Sequence, residues 1–155
     1  MPLHHLAQVN IATMRAPLSD PRMADFVAQL EAVNAIADAS PGFVWRLQTD
    51  AGNATDLRAY DNERILFNLS VWESLEALFE YVYRSRHGVA MRDRRKWFEP
   101  VPQPTVALWW IPAGHIPTVL EAKERLEYLR QQGPTPYAFS FRQPFSVAKL
   151  LDSKV

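Results

Sequence analysis

Between residues 78 and 98 the chain carries side chains at helical spacing whose character changes midway. The stripe runs Leu78, Phe79, Val82, Tyr83, Arg86, His87, Ala90, Met91, Arg94, Trp97 and Phe98. Steps of three and four put these positions on one face of a helix. Arg86, His87 and Arg94 therefore stand where the pattern predicts burial. A buried, unpaired guanidinium is costly, so it needs a carboxylate, a water-filled cavity or a ligand. The reading is a polar pocket between this helix and a sheet, lined also by Tyr83, Met91 and Trp97. Imidazole titrates near neutral pH, which suits His87 to general-base work. Arg86 and Arg94 suit the stabilisation of an oxyanion. A plainer reading ends the helix at Gly88 and turns Arg86 and His87 into solvent, or pairs Arg86 with an internal acid.

Local charge agrees with a specialised segment. Residues 84–96 hold Arg84, Arg86, Arg92, Arg94, Arg95 and Lys96 against Asp93 alone, in a chain whose 17 basic and 17 acidic residues balance. Arg92, Arg95 and Lys96 read as a solvated face. A neutral chain with one basic turn gives no case for nucleic acid or an anionic membrane surface. Ser85 and His87, two apart on a helix, point away from each other and do not form a nucleophile–base pair.

His115, in the loop Pro112-Ala-Gly-His-Ile-Pro117, follows a strand, where functional loops often sit. Its alternative role is a hydrogen bond to the loop backbone. Four histidines without clustered carboxylates argue against a bound metal ion. A single axial histidine could hold haem, and His87 is then the choice. The absence of cysteine excludes disulfides and thiolate sites, and five scattered glycines make no phosphate-cradling loop. The segment from Val106 to Leu120 is too short and too broken by Pro112, Gly114 and Pro117 to span a bilayer. No basic-then-apolar leader opens the chain, so the expectation is a cytoplasmic protein with 155 residues in a single domain.

These residues need a scaffold. Leu6 to Ile11 alternates as a strand, with Ala7, Val9 and Ile11 on one face and Leu6, Gln8 and Asn10 on the other. Asp20-Pro21 opens a helix that Ser40-Pro41-Gly42 ends. Phe43 to Gln48 and Ile65 to Trp72 are strands, the second with Ile65, Phe67, Leu69 and Val71 on an apolar face. The basic helix starts near Ser74 and runs, with a kink at Gly88, to about Phe98. Pro100, Pro102 and Pro104 make an extended connector. Thr105 to Ile111 is a strand, Thr118 to Glu121 a capping box for a helix to about Gln132, and Gly133 its C-terminal cap. Tyr137 to Phe141 reads as a last short strand.

The order is α+β and ferredoxin-like: a split β-α-β with an antiparallel sheet and an extra C-terminal helix. Such a sheet carries helices on one face. The other face would mix Gln8, Asn10, Asn68 and Ser70 with Leu66, Trp72 and one of Trp109 or Trp110. Tryptophan on an open face suggests a partner, and a second copy is the simplest, so a homodimer through that face is expected. Asn68 and His115 complete the candidate substrate-binding set.

Three blocks carry a family resemblance: Tyr81-Val-Tyr83-Arg84-Ser85-Arg-His87 with Arg92, Arg94, Arg95 and Trp97-Phe98; Leu108 to Thr118; and Gly133 to Phe141. They resemble the signature of an uncharacterised family, the domain of unknown function number 3291, over nearly the whole chain. That family looks like part of the dimeric α/β-barrel superfamily. The resemblance implies an active site between helices and sheet, and a chemistry drawn from cofactor-free oxygenases, haem-degrading oxygenases or isomerases.

Three functions follow as expectations. The first is a cofactor-independent monooxygenase or isomerase acting on a phenolic or enolisable small molecule. The second is a non-catalytic module binding haem or another anionic planar ligand, and the third is a structural dimer.

Overall fold

β1 (His4–Met14) is the spine of the sheet and pairs along both edges. The computed structural model describes residues 3–48, 60, 62, 64–86 and 94–152, with the backbone alone for 85, 86, 94, 95 and 152. On one side β1 runs antiparallel to β3 (Ile65–Trp72), which pairs in turn with β2 (Phe43–Arg46). On the other side lie β5 (Val106–Pro112) and the two-residue β4 (Phe98–Glu99). The order β2-β3-β1-β5, antiparallel throughout, is the ferredoxin-like one, with β4 continuing the β5 edge beside Thr13 and Met14.

Local signals set the helices. The Asp20 carboxylate accepts from the Arg22 backbone at 2.8 Å, and Pro21 opens a 3₁₀ turn (Pro21–Met23) that leads into α1 (Ala24–Ala39). Ser74 Oγ accepts from the Ala77 amide at 3.1 Å and caps α2 (Leu75–Arg86). α3 (Arg94–Trp97) is a single turn. Thr118 caps α4 (Val119–Gln132), and Gly133 ends it at φ +75°. α5 (Val147–Asp152), unassigned in the sequence reading, closes the described chain. No helix among the described residues is long and apolar enough to cross a membrane.

Two boundaries differ from expectation. Phe98 is not helical but paired to Met14, because the chain must already be extended on entering the proline connector. Tyr137 to Phe141 is not a strand. It touches β5 at a single bridge, where Leu108 and Phe139 exchange two 2.8 Å backbone bonds, and Pro134 and Pro136 limit further pairing.

The largest correction concerns the faces. The uniformly apolar face, with Ala7, Val9, Ile11, Phe67, Leu69 and Val71, packs under Ala122, Leu126 and Leu129 of α4. The mixed face, expected to be open, lies beneath α1 and α2. There Leu6, Trp72 and Leu108 meet Ala37 and Leu78, and Met14 and Leu66 meet Phe26 and Trp97. The chain's own helices thus supply the cover that the sequence reading assigned to a second copy. Alternation says which residues share a face and is silent on which helix covers it.

Gly42 sets the approach of α2. It has φ +83°, and a Cβ built there would lie 2.5 Å from that of Ala77. Gly42→Ala is expected to cost about 2 kcal/mol or more from backbone strain and overlap combined, read as a lower midpoint in urea denaturation.

Candidate functional site

The mixed face carries a continuous chain of polar side chains. Antiparallel register sets Asn10 opposite Asn68 and Gln8 opposite Ser70. Asn68 Nδ2 donates to Asn10 Oδ1 at 3.2 Å, and Asn10 Nδ2 donates to Gln8 Oε1 at 2.6 Å. Gln8 Nε2 and the Trp72 indole Nε1 both donate to Ser70 Oγ at 2.9 Å. This ledge separates the apolar cluster around Trp72 and Leu78 from that around Trp97 and Leu66.

The ledge is only partly buried. On the α4 side of the same strands, Val9, Phe67 and Leu69 are 0–2% exposed. On the α1/α2 side, Asn10, Asn68 and Ser70 keep partial access although helices lie over that face. Each of the three amides has a second N–H beyond the one engaged in the chain, and Ser70 has its O–H. The ledge is uncharged and rich in donors. Its complement is an oxygen-bearing acceptor, above all an oxyanion.

The sequence-derived site residues separate in space. Asn68 is central to the ledge. Trp97 is 2% exposed, packed against Phe26 with ring centroids 5.5 Å apart, in the cluster beyond the Asn10–Asn68 end. Tyr83, expected in the pocket lining, is 63% exposed on the solvent side of α2. The buried stripe of α2 is set by Leu75, Leu78, Tyr81 and Val82 instead, with Tyr81 stacked on Trp72 at 4.9 Å. Arg86 ends α2 and Arg94 begins α3. His87 and Met91 lie outside the described residues. Gln8, Asn10, Ser70 and Trp72 are expected from sequence on the mixed face but not as site residues. Their signal is polar residues at matching parity in two otherwise apolar strands.

His115 belongs elsewhere. Its Nε2 meets Glu121 Oε1 at 2.8 Å, and the other carboxylate oxygen accepts from Trp109 Nε1 at 2.9 Å. Trp109 is on the α4 face, so His115 and Asn68 sit on opposite sides of the sheet. The capping box is therefore half formed: Thr118 Oγ accepts from the Glu121 amide at 3.1 Å, while the Glu121 carboxylate binds Trp109 and His115. Burial would raise the Glu121 pKa. The hydrogen bonds from His115 and Trp109, with the charges of His115 and Arg125, outweigh it and hold the carboxyl below its usual range.

A depressed folded-state pKa gives stability that is present above the unfolded value and lost as pH falls through the folded one. Glu121→Gln is accordingly expected to cost about 1–2 kcal/mol at neutral pH. The gap from wild type narrows as pH falls below the ordinary glutamate value of 4.5. Thermal unfolding across pH 3–7 checks this, and a gap that persists unchanged in acid contradicts it.

The chain belongs to the family described as Domain of unknown function (DUF3291), whose model matches residues 5–154. No curated protein matches it. Among solved structures it is similar to SnoaB, a cofactor-independent oxygenase from Streptomyces nogalater. The two share 17% identity over 72% of this chain and 95% of that one, with a TM-score of 0.47. It is also similar to a protein of unknown function from Nitrosomonas europaea, at 9% identity over 76% and 99% of the two chains and a TM-score of 0.48.

Proposed function

We propose that this protein is a small-molecule enzyme, a cofactor-independent monooxygenase acting on a phenolic or enolisable substrate held between α1, α2 and the sheet. The observation that carries the reading is the half-accessible ledge of Asn10, Asn68 and Ser70 beneath the helices, set against the sealed face behind it. Donors without charge hold a phenolate or enolate oxygen without neutralising it, which lowers the cost of removing the substrate's acidic C–H proton.

In this reading His87 takes that proton, and Arg86 and Arg94 balance the negative charge. The resulting carbanion forms a C–O bond with molecular oxygen. The peroxide anion takes a proton, and loss of water leaves a carbonyl. One oxygen atom stays on carbon and the other departs as water, so the four electrons removed from the methylene reduce one O2. The substrate itself is the reductant.

The test is oxygen uptake with a fused phenolic ketone that bears an acidic methylene group. The expected result is protein-dependent uptake of one O2 per ketone consumed. Rearrangement of the ketone without uptake assigns an isomerase instead, since both reactions share the proton abstraction. Neither uptake nor rearrangement, with no saturable binding of the ketone, overturns the proposal.

A further inference from the structure

We infer that the middle turn of α1 roofs the ligand space above the ledge, and that Val33 sets the size of substrate the ledge admits. The inference rests on the ledge being the ligand site proposed above.

α1 is anchored at both ends. Near its start, the Phe26 ring meets Trp97 at 5.5 Å and Phe98 at 5.1 Å, and Phe98 pairs with Met14 of β1. Past its end, the Gly42 carbonyl accepts from the Glu73 amide at 2.7 Å, directly after β3, and Phe43 pairs with Trp72. From Phe26 to Ala37 a helix rises about 16 Å. From Leu66 to Trp72 a strand covers about 20 Å. α1 thus lies along β3, and its middle turn stands opposite Asn68 and Ser70.

The inward stripe of α1 is Phe26, Leu30, Val33 and Ala37, at steps of four, three and four. Phe26 and Ala37 are 8% and 5% exposed. Leu30 and Val33, between them, are only half-buried. Leu30 reaches the Trp97 cluster, whereas among the described residues Val33 packs in none of the three apolar clusters. A helix lying flush on a sheet is as buried in its middle as at its ends. α4 behaves so, with Ala122, Leu126 and Leu129 at 0–2% exposure along its length. α1 does not, and the strand residues opposite its middle, Asn68 and Ser70, keep access too. Close packing closes such gaps wherever it can, so two facing surfaces that both keep access leave room between them.

The two surfaces differ in kind. β3 offers an amide and a hydroxyl, while α1 offers the hydrocarbon of Leu30 and Val33. Their complement is a flat molecule with oxygens toward the sheet and hydrocarbon toward the helix, the chemistry of a fused phenolic ring system. Val33 is β-branched and stiff at χ1 in a helix, so it acts as a stop of fixed height rather than a yielding lining.

Two coloured anions test this. 4-Nitrophenolate and 4-nitro-1-naphtholate carry the same oxyanion on one ring and on two, and binding of each is read by absorbance. Val33→Phe is expected to weaken the naphtholate about tenfold relative to the phenolate. Val33→Ala is expected to move that ratio the other way. The urea midpoint of both variants should stay near wild type, because no packed neighbour is crowded or lost. Ala37→Phe, in the packed part of the stripe, should lower it. Val27→Phe, on the exposed side of the same helix, should leave both affinities unchanged. A Val33→Phe midpoint that falls as far as that of Ala37→Phe means a flush contact and overturns the inference. So does a naphtholate-to-phenolate ratio that neither change at Val33 moves. Both outcomes leave the functional reading standing. Failure of wild type to bind either anion removes the ledge as a ligand site, and the roof with it.

Discussion

Replacing His87 by alanine is expected to lower oxygen-dependent turnover of a phenolic ketone by about 10²–10⁴-fold, the range of a lost general base. Affinity for the same compound should change little, because binding rests on the amide ledge and the basic segment. The unfolding midpoint is expected to stay within about 0.5 kcal/mol of wild type. Steady-state kinetics with oxygen consumption as the readout separates these quantities. A variant that keeps wild-type turnover removes His87 from the chemistry and leaves the ledge to act by binding alone. The basic cluster of residues 84–96 would then serve the bound anion rather than a proton transfer.

Asn68→Leu is expected to reduce turnover by about 10²–10³-fold, the cost of removing one preorganised donor from an oxyanion site. The substitution keeps the number and branching of side-chain heavy atoms and leaves Asn10 Oδ1 without its donor at 3.2 Å. Stability should fall by only about 1 kcal/mol, because Asn68 is half-buried and Asn10 retains its bond to Gln8. His115→Ala serves as the control. His115 pairs with Glu121 on the α4 side of the sheet, so its loss should leave the rate untouched while lowering stability. Equal rate losses in both variants would mean that the two sides of the sheet are coupled in a way this geometry does not explain.

Much of the fold was legible because local signals and long-range pattern agreed. The caps at Asp20, Ser74, Thr118 and Gly133 mark helix ends by chemistry that needs no tertiary context. The alternation in β1 and β3 sorted residues correctly into two faces. What alternation could not supply was the identity of the cover. A face of Val, Ile, Leu and Phe invites a flush helix, and α4 provides one with Ala122, Leu126 and Leu129. A face mixing amides with tryptophan invites a second copy rather than the chain's own helices, because each amide, taken alone, is costly to bury. Paired across the register, the amides satisfy one another, and burial under α1 and α2 becomes tolerable.

The expectation of a polar pocket beside the basic helix rests on the helix residues alone, and of the sheet residues it names only Asn68, which the structure places in the amide ledge. Tyr83 was misplaced. Its spacing fits a core stripe, but the stack of Tyr81 on Trp72 rotates α2 by about one position. The Glu121 contacts were hidden by a motif that predicts a different partner for the same carboxylate.

The most direct test is chemical-shift mapping of 4-nitrophenolate onto the side-chain amides and indole protons. Saturable shifts are expected at Asn10 and Asn68, a smaller one at the Trp72 indole, and none at the Trp109 indole beside Glu121. Shifts centred on Trp109 and His115, or none at Asn10 and Asn68 when the phenolate is saturating, would contradict it.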